Sequence, residues 1–192
     1  MAAPSRKSAT LDDLIARGDP DRLEIVGGEI VEKAMPSPSH SLAEAKLAVA
    51  FDPYNRRPGG PGGPGGWWLF SEIHVEYPSG EIYCHDAAGW RRDRVPTRPA
   101  EWPVRLRPDW VGEIVSPHHE KHDLVTKPRT LQSSEVPHYW IVDPEERVLL
   151  VHRWSVDGYI VVQRAAAGET VRAEPFDAIE LRVGALFGDD DE

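Results

Sequence analysis

The segment that most constrains the fold is Asp109–Ser116, an apolar run with a single acid, Glu113, in its middle. Its length and composition predict a core strand. An ionised carboxylate in such a strand is costly unless it is paired with a cation or holds a metal. Glu113 is therefore predicted either to form a structural bridge with an arginine or to take part in metal-dependent chemistry.

A second acid lies inside another apolar run. Asp86 occurs within Glu81–Trp90, which the sequence predicts to be a strand. After Glu113, a helix predicted over Asp123–Ser134 carries Lys127. Two acids on neighbouring strands with a lysine close by indicate a divalent-metal site that cleaves phosphate esters. The alternative for Asp86 is a residue at the end of a strand, before a turn.

Composition limits the cellular setting. The chain has 192 residues, of which 40% are hydrophobic, and this is enough for one domain with a core. Its one cysteine, Cys84, excludes an internal disulfide and favours a reducing compartment. The polar start, Met1–Thr10, lacks the apolar region of a signal peptide, and no run is long enough to span a bilayer. We expect a cytoplasmic protein without membrane contact.

Charge argues against tight duplex binding, because the net charge is −10 and phosphate binding normally uses a basic surface. Part of the excess is an acidic C-terminal tail, Asp189–Glu192, which we expect to be disordered. Basic residues also cluster between the two acid-bearing strands, at Arg91, Arg92, Arg94, Arg98, Arg105 and Arg107. The surface charge is thus predicted to be uneven.

The order of elements predicts a single α/β domain over residues 1–192. Residues 1–9 form a flexible arm, 56–66 a mobile Pro/Gly-rich loop, 23–187 the folded body and 188–192 the tail. A short helix capped by Thr10 and a hairpin turning at Gly27-Gly28 come first. The strand–helix–strand unit after Asp109 should be parallel. The segment Thr170–Ala173 is predicted to extend the same sheet.

Several segments together resemble a known family. They are His85-Asp86, Glu113–Pro117, the pair Asp123 and Lys127, and Val136–Pro144. Over 23–187 the chain resembles the PD-(D/E)XK nuclease superfamily, in the branch described as putative restriction endonucleases. The resemblance implies a restriction endonuclease-like mixed β-sheet flanked by helices, with an extra N-terminal hairpin and extra C-terminal strands.

The resemblance also implies a site. Asp86 and Glu113 would be ligands of Mg²⁺ or Mn²⁺, with the Ile114 carbonyl as a third ligand. The superfamily has a lysine two residues after the second acid, but this chain has Val115 there. In this branch the lysine moves to the following helix, where Lys127 would polarise the attacking water or bind the scissile phosphate.

Three further residues are supporting candidates. Asp123 precedes Lys127 by four residues and could orient it, or could cap the helix. Glu29 and His40 would line the metal site from the N-terminal side, although surface or capping roles are the simpler interpretation of both. The dipeptide Pro108-Asp109 matches the Pro-Asp of the superfamily's first motif. However, Asp109 lies about 13 Å along the strand from Glu113, which is too far for the two acids to share one metal.

Three functions follow from this sequence. The first is a Mg²⁺-dependent endonuclease acting on nucleic acid, with DNA as the expected substrate and, by the resemblance, a homodimer as the expected assembly. The second is a weakly active or inactive domain of the same fold that binds a protein partner. The third is a metal hydrolase of small phosphate esters, which suits the acidic surface.

Overall fold

The computed structural model of the chain describes residues 8–116 and 126–190. Ten strands occur within them: β1 (Leu23–Val26), β2 (Glu29–Glu32), β3 (Trp67–Glu76), β4 (Ile82–Arg91), β5 (Trp110–Ile114), β6 (His138–Asp143), β7 (Val148–Ser155), β8 (Gly158–Ala166), β9 (Thr170–Val171) and β10 (Leu181–Arg182). Eight of these form one mixed sheet in the order β2-β1-β4-β5-β6-β7-β8, with β3 paired to β4. The predicted mixed sheet is confirmed.

Three α-helices lie among the described residues: α1 (Leu11–Arg17), α2 (Pro38–Phe51) and α3 (Lys127–Ser133). The helix α1 begins as predicted, because the Thr10 side chain and Asp13 form a capping box. Two short 3₁₀ helices, Pro20–Arg22 and Val183–Phe187, complete the helical elements of the described chain. None of the described helices is long and apolar enough to cross a membrane.

Strand β4 is forked along one edge. It pairs with β3 from Ile82 to Arg91, with an interruption at Asp86. A strand has two edges, so its other partners must share the second edge: β1 pairs there at Ile82, and β5 pairs at residues 87–89. Among the described residues, 83–86 pair with neither β1 nor β5 on that edge. Asp86 therefore lies where the sheet opens.

The β5–α3–β6 unit is parallel, as predicted, with Glu113 opposite Ile141 in the register. Because side chains alternate along β5, Trp110 and Val111 point to opposite faces of the sheet. On one face Trp110 packs against Phe51 of α2, with ring centroids 4.9 Å apart. On the other face Val111 belongs to the cluster that contains Leu131 of α3. The two helices thus cover opposite faces.

One peripheral segment differs from its predicted description, and two others form hydrogen bonds to residues elsewhere in the chain. The segment Thr170–Val171 pairs with Leu181–Arg182 in a separate two-stranded sheet, so the prediction that it extends the main sheet is wrong. The Pro/Gly-rich loop is tied to the preceding chain by backbone hydrogen bonds, including Gly65 N–H to the Pro53 carbonyl. In the acidic tail, Asp189 accepts a hydrogen bond of 2.7 Å from Arg147.

Candidate functional site

A cavity of about 80 Å³ lies at the opening beside β4. One water needs about 10–15 Å³ of such space, so the cavity has room for a few water-sized groups. Its titratable lining consists of four acids and three bases: Glu24, Glu32, Asp86, Glu113, Lys33, His40 and Lys127. Five predicted site residues thus line one cavity: Asp86, Glu113, Ile114, Lys127 and His40. The sequence analysis missed three charged residues of the wall, Glu24, Glu32 and Lys33.

Asp86 is held in the cavity wall with only 2% of its surface exposed. Its Oδ2 accepts a hydrogen bond of 2.7 Å from the Ile114 backbone N–H. Its Oδ1 lies 2.8 Å from Lys33 Nζ and 3.5 Å from His40 Nε2, yet it accepts no hydrogen bond from the described residues. Burial opposes ionisation, but the close approach of the His40 ring and the charge of Lys33 outweigh it and hold the Asp86 pKa below its usual value.

Glu113 is equally buried, with 1% of its surface exposed. Oε2 accepts from Lys127 Nζ at 3.2 Å, and Oε1 is hydrogen-bonded to His85 Nδ1. The Tyr77 hydroxyl, 2.6 Å from His85 Nε2, is the natural donor to that nitrogen, which leaves the ring proton on Nδ1 to donate to Glu113. Burial and the Asp86 charge raise the Glu113 pKa above its usual value, while the Lys127 ammonium opposes this and favours the ionised carboxylate.

Lys127 reaches the cavity from the first residue of α3 and is 3% exposed. Glu113 faces α3 because it follows Val111 by two residues on the same side of β5. The Lys127 ammonium also lies 3.3 Å from Oε1 of Glu24 on β1. That same oxygen accepts the Cys84 backbone N–H at 2.8 Å, so Glu24 bridges β1 and β4 across the opening.

Lys33 follows β2 directly and inserts its ammonium group between two strands. Besides Asp86, it contacts Glu72 Oε1 at 2.8 Å and Cys84 Sγ at 3.8 Å. Burial lowers its pKa, but the charges of Asp86 and Glu72 outweigh this and raise it above its usual value. Glu72 has φ of 49°, a conformation that non-glycine residues rarely adopt in a strand, and such strain is typical of functional sites.

The structure places the remaining candidates as follows. His40 lies in the first turn of α2, and its Nδ1 is 2.7 Å from Ser116 Oγ. Glu29 is exposed at the start of β2 and is not among the residues of the cavity wall, in line with the surface role that is its simpler interpretation. Asp123 lies outside the described residues. Asp109 accepts hydrogen bonds from Arg91 N–H and Arg94 Nε, away from the cavity.

The donor set fits a hard divalent cation held loosely. Among residues 8–116 and 126–190, no three His, Cys, Asp or Glu side chains are grouped as ligands of one metal. Mg²⁺ does not need such a cage, since it is usually held by one or two carboxylates and several waters. Asp86 and Glu113 line one cavity, and the buried Asp86 Oδ1 has a lone pair without a hydrogen bond. These residues can therefore bind the ion.

Comparison with known proteins agrees with this fold. The model of the Uma2 family, described as putative restriction endonuclease, matches residues 9–184. A solved structure described as a putative nuclease belonging to DUF820, from Anabaena variabilis ATCC 29413, is 19% identical and covers 93% of this chain and 97% of its own, with a TM-score of 0.72. No curated protein matches the chain.

Proposed function

The chain belongs to the Uma2 family of putative restriction endonucleases, and from this premise we propose that it is a metal-dependent endonuclease that hydrolyses phosphodiester bonds in nucleic acid, with DNA as the first substrate to test. One observation carries the proposal. Two buried acids from neighbouring strands, Asp86 and Glu113, line one small cavity with the Lys127 ammonium against Glu113. Charged groups are seldom buried in this way without a chemical role.

We propose Asp86 and Glu113 as the ligands of Mg²⁺ or Mn²⁺. The Ile114 carbonyl is the proposed third ligand, because its residue lines the same cavity and its N–H already binds Asp86. When bound, the ion would make a water nucleophilic and would stabilise charge on the phosphoryl oxygens. The hydrogen bond from His85 to Glu113 fixes the orientation of that carboxylate, as outer-shell partners of metal ligands commonly do.

We propose Lys127 as the group that contacts the scissile phosphate or the attacking water. Its ammonium is held between Glu113 and Glu24, at 3.2 Å and 3.3 Å, and a phosphate oxygen entering the cavity would offer it a new anionic partner. Val115, at the usual lysine position, packs against the apolar cluster on the α3 side and cannot take this role. The prediction that Asp123 orients Lys127 stays open to test by substitution.

The test compares cavity acids with a buried acid outside the cavity. Asp86→Asn and Glu113→Gln should each lower Mn²⁺-dependent nicking of supercoiled plasmid by more than about a hundredfold. Changes to outer-shell partners alone cost up to that much, and a direct ligand should cost more. Asp109→Asn is the matched control, because Asp109 is also buried yet binds only Arg91 and Arg94 among the described residues. Wild-type rates in both cavity variants, with folding checked by circular dichroism, would refute the proposed site.

The alternative of an inactive binding domain has one specific observation in its favour. The chain's own cation Lys33 already lies 2.8 Å from Asp86 Oδ1, where a metal would bind. Titration calorimetry with Mn²⁺ separates the two functions. Binding that Glu113→Gln removes supports the enzyme, and no binding to the wild-type chain supports the inactive domain.

Assembly and location remain predictions. The resemblance predicts a homodimer, and sedimentation of the purified chain would test it. The free, buried Cys84 agrees with the expected cytoplasmic setting, since it needs no oxidising compartment.

A further inference from the structure

A second, larger cavity of about 930 Å³ lies at the far end of β4 from the acids. We call it the arginine cleft, because Arg57, Arg91, Arg92 and Arg98 line it and Asp93 is its one acid among the described residues. The whole chain has a net charge of −10, so this cleft reverses the sign of its surroundings. A local excess of guanidinium groups attracts anions.

Three of these four arginines form no ion pair with a described residue. Arg91 is paired with Asp93 at 2.6 Å. Within the part of the chain that the structure describes, no carboxylate forms an ion pair with Arg57, Arg92 or Arg98. Like charges brought together in this way repel each other, and an anion bound between them would relieve that repulsion.

Arg92 is fixed in the wall of the cleft. Its guanidinium lies over the Trp68 ring, 3.5 Å from the centroid, and its Nε donates to the Trp67 carbonyl at 2.7 Å. Burial and the nearby charge of Arg57 lower its pKa, which agrees with two cations held close together. A stacked, anchored arginine loses little freedom when it binds, so it suits phosphate recognition.

The Pro/Gly-rich loop holds Arg57 at the cleft. Gly66 N–H donates to the Arg56 carbonyl at 2.7 Å, which closes the loop. Gly65 has φ of 65°, and a Cβ there would lie 2.3 Å from the Arg57 carbonyl oxygen. Only glycine fits this close approach of two backbones. The repeat that the sequence shows as Pro-Gly-Gly thus forms a folded support for Arg57.

A groove also lies between α2 and β3. The groove has a volume of about 200 Å³ and is lined by Asn55, Leu69 and Ala87, among others. Strand β4 reaches both the cleft and the cavity of Asp86 and Glu113, here called the acid cavity, since Asp86 lines that cavity and Arg91 lines the cleft. From Asp86 to Arg91 the strand rises about 17 Å, at roughly 3.4 Å per residue. That length is about five nucleotides of a duplex strand at 3.4 Å each.

We propose that Arg57, Arg92 and Arg98 form a binding site for the phosphates of a nucleic-acid backbone, about five nucleotides from the bond held at the acid cavity. The substrate class rests on the proposed function, but binding at the cleft needs neither metal nor catalysis. Phosphate contacts of this kind position a nucleic acid and carry no base specificity.

The experiment measures binding with cleavage prevented. A fluorescein-labelled DNA duplex is titrated with the full chain in EDTA and followed by anisotropy over a range of salt concentrations. The test variant is Arg57→Gln with Arg98→Gln, since both side chains are exposed and form no ion pair within the described residues. The control is Arg17→Gln with Arg164→Gln, which removes the same charge from exposed positions outside the cleft.

We expect the cleft variant to bind at least about tenfold more weakly and its salt slope to fall by roughly two, one for each lost phosphate contact. The control should bind as wild type. Equal losses in both variants, an unchanged cleft variant, or no duplex binding by the wild-type chain would each overturn the proposal. Mn²⁺-dependent hydrolysis of bis(4-nitrophenyl) phosphate, a diester too small to reach the cleft, tests the acid cavity separately, so failure of one site does not imply failure of the other.

Discussion

The acid cavity and the arginine cleft use charge in opposite ways. In the cavity, Asp86 and Glu113 are buried and contact Lys33 and Lys127, so opposite charges are matched within the chain. In the cleft, guanidinium groups such as Arg57 face solvent without a matching acid among the described residues. Buried charges require such matching to be tolerated, whereas hydrated surface charges do not. The comparison separates charges that the fold depends on from charges that are available to a ligand.

The largest effect is expected from removing a cavity cation. Lys127→Ala leaves Glu113 and Glu24 buried without the ammonium that contacts both. Breaking a buried pair in this way typically costs about 3–5 kcal/mol. Urea denaturation should show a free energy of unfolding lower by that amount, while Arg57→Ala in the cleft changes it little. Similar values for the two variants would remove the distinction between the regions.

A smaller effect is expected in the backbone that supports the cleft. Gly65→Ala places a Cβ 2.3 Å from the Arg57 carbonyl oxygen at a φ of 65°, so we expect it to cost about 1–3 kcal/mol. Gly60→Ala is the matched control in the same loop, because its Cβ would lie 3.5 Å from the same Arg57 carbonyl oxygen, which is an ordinary van der Waals contact. Thermal unfolding of the two variants gives the measurement. Equal melting temperatures would show that the loop is as mobile as its sequence predicts.

The third prediction concerns competition inside the cavity. A divalent cation bound by Asp86 must displace the Lys33 ammonium from Oδ1, 2.8 Å away. Lys33→Met should therefore tighten Mn²⁺ binding by about tenfold, or roughly 1.4 kcal/mol. Titration calorimetry measures the change, with Lys46→Met as the control outside the cavity. Weaker binding in Lys33→Met would mean that Lys33 supports the metal site instead of competing for it.

The smallest effect is expected at the cleft surface. Arg98 is exposed, and replacing it with glutamine removes no ion pair from the described part of the chain. Surface changes of this kind usually alter the free energy of unfolding by less than about 0.5 kcal/mol. Chemical denaturation of Arg98→Gln checks this. A loss above 1 kcal/mol would show that the cleft, like the cavity, is part of the stabilising framework.

Elements whose signals are local could be predicted from the sequence. The Thr10 cap, the turn at Gly27-Gly28 and the parallel pairing around Glu113 are all confirmed. Each depends on residues that are neighbours in the chain or on a general rule of handedness. The partner of Thr170–Val171 depends instead on a strand ten residues later, and nothing in its own residues indicates that partner.

The candidate site was predictable only in part. Glu24 carries the same signal as Glu113, an acid in a fully buried strand, but a strand of four residues gives too short a pattern to recognise. Lys33 and Glu29 both belong to the hairpin segment, and only the packing of that hairpin on β4 decides that Lys33 reaches Asp86. The arginines at 91, 92 and 98 appear in the sequence as a cluster, yet their joining with Arg57 depends on the folded loop.

The forked edge of β4 has a consequence for the order in which the chain folds. The cavity side chains come from positions 24, 86, 113 and 127, so large stretches of chain must close upon one another before any of them meet. Contacts between distant positions form slowly and late. Binding of a metal ion during refolding should accordingly lag behind the recovery of secondary structure. A fragment that ends before α3 should bind no metal ion at Asp86.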